Sequence, residues 1–358
     1  VSESIPKTMR ALVYRGVDDL RVETIPVPRI GPSELLVKVA ACGVCPTDIK
    51  KIHYGTVPPP RVFGHETAGV IVRTGSRVRG FETGERVALH HHVPCLRCHA
   101  CRHAAFAQCA GYKRTGVTAG FEPSGGGFAE YVRVMPFVFP GVVKIPRRNS
   151  FIEGAMLEPV NTVLKAVNRL NLLKGDSVLV VGQGPIGLMF TRLLALRGAN
   201  VIANDLLSAR LRLAKKFGAR HLLEGSMTDH PASIQKWTGQ RGLDAVVVAV
   251  PSDAAVHAAQ AALRGGGQLL LFAHTRRGEN TGIDLSSVCV DEKDILGSYS
   301  ADVRLQGEAA RLVFSRKLDV HPLVTHVFPL ENAAAAIALA SNPQPDSLKV
   351  IVGNPDGL

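Results

Sequence analysis

Long apolar runs, aromatic rings and acidic side chains are the scarce features of this chain. No stretch approaches the ~18 apolar residues that a membrane-spanning helix needs, so no span is expected. The opening VSESIPKTMRALVYRG has no apolar core of the kind that marks a secretory signal. Aromatic residues make up 5% of the 358 positions, with one Trp, too few to build the stacking platforms that single-stranded nucleic acid requires. Asp and Glu total 30 against 42 Lys and Arg, a net charge of +12. The basic residues (Arg73, Arg77, Arg79, Arg86, Arg210, Arg212, Lys215, Lys216) are scattered rather than gathered into a stripe. That distribution speaks against a nucleic-acid track and for a solvated basic surface that attracts anions, a dinucleotide among them. Repeats and low-complexity tracts are missing too, so a repeat array is not expected. What remains is 46% hydrophobic, with 35 Gly and 22 Pro: a globular protein with many turns, long enough for two cores.

Seven cysteines are present, and four of them are crowded. In HVPCLRCHACRHAAFAQC, two residues separate each neighbouring pair among Cys95, Cys98 and Cys101, and seven separate Cys101 from Cys109. Thiolates this close cannot all pair as unstrained disulfides, but they can surround one tetrahedral zinc at about 2.3 Å per Zn–S bond. The surrounding run is polar and aperiodic, with nothing to bury four reduced thiols against. A closed four-sulfur site does no chemistry; it pins a lobe, here over about residues 90–112. Clustered thiols need reducing conditions, which points to the cytoplasm.

Three stretches organise the chain. Residues 9–150 hold short β-rich segments punctuated by Gly and Pro: MRALVYRG, ELLVKVAACGV, ETAGVIVRTGS, GERVALHHH and GGFAEYVRV. From about 160 to 297, apolar strands alternate with amphipathic helices, and DAVVVAV, GGQLLLFA and DILGSYS continue a parallel sheet. The remainder offers helices at LQGEAARLVFSRKL and ENAAAAIALAS and a closing strand at LKVIVG.

The middle stretch carries a dinucleotide signal. Gly182, Gly184 and Gly187 form GxGxxG, with Pro185 and Ile186 inside the loop, after a buried strand and at the start of a helix. The first glycine allows the tight turn, the second lets backbone approach a pyrophosphate, and the third permits close helix–strand packing. Asp205 ends the next strand about 20 residues on, where an acid accepts hydrogen bonds from ribose hydroxyls. A carboxylate there repels a 2′-phosphate and selects NAD over NADP. Arg210, which could otherwise hold that phosphate, is read as flanking the adenine.

A second metal constellation draws on distant segments: Cys45, Thr47 and Asp48 in CGVCPTDIK, His65 and Glu66 in FGHETAGV, and Glu158 in GAMLEPVNT. One thiolate, one imidazole and one or two carboxylates suit a zinc site with an open position. Each residue has an ordinary alternative. Cys45 with Cys42 could be a redox pair, His65 a turn histidine, and Glu158 an acid at a helix start. No spacing rule joins the three segments.

The motifs CGVCPTD, GHETAGVI, GERV, the four-cysteine lobe, GGGFAEYV, GAMLEP and VLVVGQGPIGLM follow one another from near the first strand to LKVIVG. On these the chain resembles the zinc-dependent medium-chain dehydrogenase/reductases, in the branch that includes sorbitol, butanediol and threonine 3-dehydrogenases. The resemblance implies an α/β protein: a β-rich GroES-like catalytic domain over 1–158, a doubly wound Rossmann NAD-binding domain over 159–297, and a return to the catalytic domain over 298–358. It implies that Cys45 and His65 bind a catalytic zinc, completed by Glu66 or Glu158 in exchange with water. Asp48 would orient His65 or Cys45, Thr47 would take the alcohol proton, and Thr162 would pack near the nicotinamide. Many relatives carry a relay histidine five residues after the zinc cysteine, where this chain has Lys50. Either Lys50 serves, or His53 substitutes, or the proton leaves through a ribose hydroxyl and water with Lys50 solvated. Pro46 replaces a small residue usual after the zinc cysteine. Of the triplet His90, His91 and His92, at most one can reach the site, since consecutive strand residues face opposite ways. Cys42 and Cys289 are expected to be buried thiols.

The activity these parts imply is NAD-dependent oxidation of a secondary alcohol: a polyol, a vicinal diol or an amino alcohol such as threonine. Two zinc ions per chain are expected, one catalytic and one structural. A ketone or aldehyde reductase is the alternative enzyme. A non-catalytic dinucleotide-binding sensor is the alternative of another class, disfavoured because a pure binder needs no open zinc position. Relatives imply a homodimer or homotetramer, with no nucleic-acid or membrane partner. The substrate pocket is expected from residues around 47–57, 112–122 and 298–302.

Overall fold

The computed structural model describes residues 5–90, 93–114, 119–121, 125–273 and 278–353. The chain divides into two compact units, Val1–Asn161 with Ala301–Leu358, and Thr162–Ser300. The helix Leu157–Val167 carries the chain out of the first unit.

Two main sheets build the first unit, beside a two-stranded ladder of Ala119–Phe121 with Gly125–Gly126. The larger runs in the order Val143–Lys144, Arg86–Leu89, Glu66–Thr74, Leu35–Gly43, Lys349–Gly353, Val324–Phe328, with Tyr131–Val134 also paired to Leu35–Gly43. Leu35, Val37, Ile71, Val87, Val132 and Val134 face inward together and form one core. The smaller sheet joins Asp19–Pro26, Thr8–Gly16 and Arg61–Val62. Register in the larger sheet places the site: Gly43 stands opposite Glu66 on one side and Ile351 on the other. Three segments far apart in sequence therefore meet at one end of the strand Leu35–Gly43. His90 follows the strand Arg86–Leu89 and is fully buried; His91 and His92 lie outside the described residues.

The second unit is a six-stranded parallel sheet in the order His221–Glu224, Asn200–Asp205, Ser177–Val181, Leu243–Val248, Leu263–Leu271, Asp294–Gly297. Counted along the chain this is third, second, first, fourth, fifth, sixth, the doubly wound arrangement whose ligands sit at the carboxyl end of the first strand. The strands Ser177–Val181 and Leu243–Val248 are buried throughout, as continuous apolar runs should be in a parallel sheet.

One expectation is corrected here. Cys42 is buried, but Cys289 is exposed. It lies on the six-residue helix Leu285–Val290, just before the last strand of the sheet, and the helix leaves Leu285 and Val290 more than two-thirds exposed as well. An apolar composition there does not mean a covered face. Among the described residues no helix is long and apolar enough to cross a membrane.

Candidate active site

Beyond Gly43 the chain turns from strand to helix. Cys45 is the N-cap of the helix Pro46–Tyr54, in an extended conformation, and its side chain caps nothing. Pro46 stands at the first helical turn, where its missing N–H is harmless. Asp48 follows in that turn and is fully buried, its carboxylate oxygens 3.0 and 2.9 Å from His65 Nδ1. A carboxylate in this position fixes the ring and makes Nε2 the nitrogen that would meet a metal. Cys45, His65 and Glu66 bring sulfur, nitrogen and oxygen within 4.8 Å of one another.

The electrostatics of this pocket call for a cation. Burial opposes ionisation of Asp48, but the His65 ring, the Lys51 ammonium and the Gly64 N–H hold its carboxyl below the usual range. Burial likewise works against a charged His65, yet Asp48 and Cys45 outweigh it and push the ring well above its ordinary value. A buried imidazole that prefers positive charge sits in a negative potential. A thiolate, an imidazole and a carboxylate within reach of one point fit a zinc ion with an open position.

Of the two acids offered by the sequence, the structure brings Glu66 to Cys45 and His65, while Glu158 lies outside that triplet, buried on Leu157–Val167. Glu66 is held by a residue that sequence reasoning missed. Lys349 Nζ donates to Glu66 Oε1 at 2.6 Å and to the Val44 carbonyl at 2.8 Å, and lies 2.5 Å from Glu66 Oε2. Oε2 is buried without a hydrogen bond of its own. Gly43 makes room for it, because a Cβ at that position would sit 1.8 Å from Oε2. The signal for Lys349 was a lysine in an otherwise apolar closing strand, which demands a buried counter-ion.

Thr47 and Lys50 are three residues apart on the helix Pro46–Tyr54 and share a face; both are half-buried. His53 is engaged elsewhere, with Asp18 at Nδ1 and Ser341 Oγ at Nε2. Thr162 stands one turn beyond Glu158 on the helix Leu157–Val167.

The four-cysteine lobe has its sulfurs within 4.8 Å of one another, with Cys98–Cys101 at 3.5 Å and Cys95–Cys101 at 3.9 Å. Tetrahedral Zn–S bonds of about 2.3 Å place sulfurs about 3.8 Å apart, so the cage fits zinc as it stands. Burial pushes the Cys101 thiol up to about 12, helped by its sulfur neighbours. Cys109 goes the other way: against the cost of burial, the Cys95 and Tyr112 N–H groups draw it down to about 6. Leu96 and Ala104 take left-handed backbone conformations, φ 59° and 55°, unusual for residues with a side chain.

In the second unit, Gly182 leaves the strand Ser177–Val181 at φ 88°, and a Cβ on Gly187 would meet the Gly182 carbonyl at 1.7 Å. Gly184 caps the helix Pro185–Leu196 with no side-chain acceptor on its first N–H groups, and a Cβ there would meet open space. Gly184, Pro185 and Ile186 are half-buried while Gly182 and Gly187 are buried. Uncapped amides at the positive end of a helix suit a pyrophosphate. Asp205 Oδ2 accepts from Gln183 N at 2.6 Å and Oδ1 from Leu207 N at 2.9 Å, so the loop and the acid are locked together. Each oxygen keeps a lone pair for a ribose hydroxyl. Arg210 lies five residues on, in the helix Ser208–Lys216, half-buried.

Residues 31–147 match the alcohol dehydrogenase GroES-like domain, and residues 185–315 match the zinc-binding dehydrogenase family. The chain is 31% identical to sorbitol dehydrogenase of Bacillus subtilis (strain 168) over 98% of its length and 99% of that protein's. It is 31% identical to D-xylulose reductase A of Aspergillus oryzae over 92% of its length and 94% of that protein's. Among solved structures, a zinc-binding dehydrogenase from Sinorhizobium meliloti 1021 bound to NADP superposes with a TM-score of 0.87 at 29% identity. That likeness covers 98% of this chain and 100% of the other. The chain thus belongs to the zinc-dependent alcohol dehydrogenases of the medium-chain dehydrogenase/reductase superfamily.

Proposed function

We propose that the protein is an NAD-linked dehydrogenase that moves a hydride between nicotinamide and a secondary alcohol of the polyol or vicinal-diol type. The buried triplet of Cys45, His65 and Glu66 carries this reading. A zinc ion bound there would supply Lewis-acid polarisation of an alcohol or carbonyl oxygen and ease alcohol deprotonation near neutral pH. Cys45 and His65 hold the ion, and Asp48 orients the His65 ring. Thr47 takes the alcohol proton, and Lys50, on the same helix face, passes it outward. A ligand set of one sulfur, one nitrogen and one oxygen is harder than a two-thiolate set and suits substrates that bring two oxygens. Relatives named for sorbitol and xylulose support the polyol class.

The test is a panel of polyols, vicinal diols and hydroxy amino acids with the metal-loaded protein. Polyols or diols should give NADH, and a protein that oxidises none of them contradicts the reading. The relative named D-xylulose reductase favours assaying ketose reduction as well, because the same residues serve the reverse step.

The choice of NAD rests on Asp205. Replacing it by Ala should cost about tenfold or more in kcat/KM with NAD, the worth of a hydrogen bond to a charged group, and improve use of NADP. A wild-type protein that prefers NADP would overturn this assignment.

For assembly we propose a homo-oligomer that uses the outer edge of the second unit's sheet. Ile295 on the edge strand Asp294–Gly297, Leu285 and Val290 on the helix before it and Tyr299 just after it expose apolar surface that another copy can cover. Ile295→Lys should shift the sedimentation of the protein toward monomer; an unchanged profile contradicts the surface named.

A further inference from the structure

We propose that His99 and His103 form a third metal site, a two-imidazole chelate for a divalent ion on the exposed face of the four-cysteine lobe. The site shares no residue with the catalytic metal.

The two histidines are one turn apart on and just after the short helix His99–Arg102, and His103 N donates to the His99 carbonyl at 3.2 Å. Side chains four apart on a helix lie on one face, the spacing by which paired histidines grip zinc. Their ring centres are 4.5 Å apart, with the planes tilted by 47° rather than stacked. Two nitrogens on one tetrahedral ion, each at about 2.1 Å, stand about 3.4 Å from one another, a separation that rings at this spacing span. Both rings are exposed, and among the described residues neither has a hydrogen bond or an ion pair. The fold makes no other use of them. Arg97 and Arg102 are exposed neighbours that oppose a cation, but solvent and salt screen them. Imidazole nitrogen suits zinc, nickel and copper, and water fills the remaining positions. With two protein donors the ion is held weakly and leaves on dialysis against metal-free buffer.

The location gives the site a consequence. Cys98 caps the start of this helix and Cys101 lies within it. An ion bridging His99 and His103 therefore fixes the turn that sets those two cage sulfurs 3.5 Å apart. Four residues make a helix with little stability of its own. An unwound turn offers the ion one imidazole and the wound turn two, so binding favours the closed lobe.

Nickel is the probe, equilibrated by dialysis with the zinc-loaded wild-type protein. About one nickel per chain should bind without loss of zinc. His99→Gln and His103→Gln should each weaken that binding by about tenfold or more with zinc content unchanged, because each removes half of the chelate. Saturating nickel should also slow proteolytic cleavage within residues 95–112 by about tenfold in the wild type, and change it less than about twofold in either variant. A wild type that takes up no nickel, nickel bound only in exchange for zinc, or variants that bind as tightly as wild type would each overturn the site. Binding as expected with no added resistance to cleavage would overturn its role in holding the lobe.

Discussion

Cys45→Ala should lose turnover by roughly 10²–10⁴-fold, the equivalent of the several kcal/mol that metal-ion catalysis supplies. The fold should barely notice. The Cys45 side chain makes no cap to the helix it precedes, and the helix start is set by Pro46 and by the backbone bond from Asp48 N to the Cys45 carbonyl. Asp48 and His65 stay paired, and the Glu66–Lys349 pair is untouched. The loop from Gly182 to Gly187 and Asp205 belongs to the other unit, so coenzyme affinity should remain near wild type. Activity and coenzyme binding measured side by side check this. Normal turnover in the variant would remove Cys45 from the chemistry.

Cys98→Ala should produce the opposite pattern: a damaged fold and lost solubility. The lobe has little else to hold it. Its apolar cluster is Cys101, Phe106, Cys109 and Tyr112, with Cys98 packed alongside. Its first helix, His99–Arg102, has four residues, far below the length that is stable alone. Leu96 and Ala104 sit in left-handed conformations that cost free energy and persist only while the sulfurs on either side are tied down. Arg304 lies over the Phe106 ring at 4.4 Å and links the lobe to the returning segment of its unit. Structural zinc contributes folding free energy directly, so opening the cage should expose the segment to proteolysis and lower the melting temperature. Limited proteolysis with mapping of the cut sites is the check. A variant that melts like wild type and resists cleavage over 95–112 would show that metal does not build the lobe.

The two local sites were legible because their ligands are neighbours in sequence. Four cysteines within fifteen residues can reach one ion whatever the rest of the chain does. The strand–turn–helix around Gly182 likewise needs only its own residues and the acid one strand later. The pocket at Cys45 was not legible from spacing, because it is assembled by sheet register. Glu66 faces Gly43 across one ladder, and Lys349 opens the strand that pairs across the other. Nothing local in LKVIVG says which carboxylate its lysine will meet 283 residues away. Resemblance supplied Cys45 and His65, and it left Glu66 and Glu158 undecided until their positions could be compared. Among the strands that escaped the sequence reading, two did so for a simpler reason. Asp19–Pro26 has no fully buried residue and Val324–Phe328 has none either, so neither shows the clear apolar alternation of a core strand. Cys289 misled in the reverse sense, being apolar in company and uncovered in fact.

Everything proposed about reactivity depends on an electrophilic ion seated between the Cys45 sulfur and the His65 ring. Metal analysis of the purified wild-type protein beside Cys45→Ala addresses that dependence most directly. The first should hold two zinc per chain and the second one, with the remaining ion lost only when the four-cysteine lobe is disrupted. Two zinc per chain in both proteins, or a fully active wild type holding one, would contradict it.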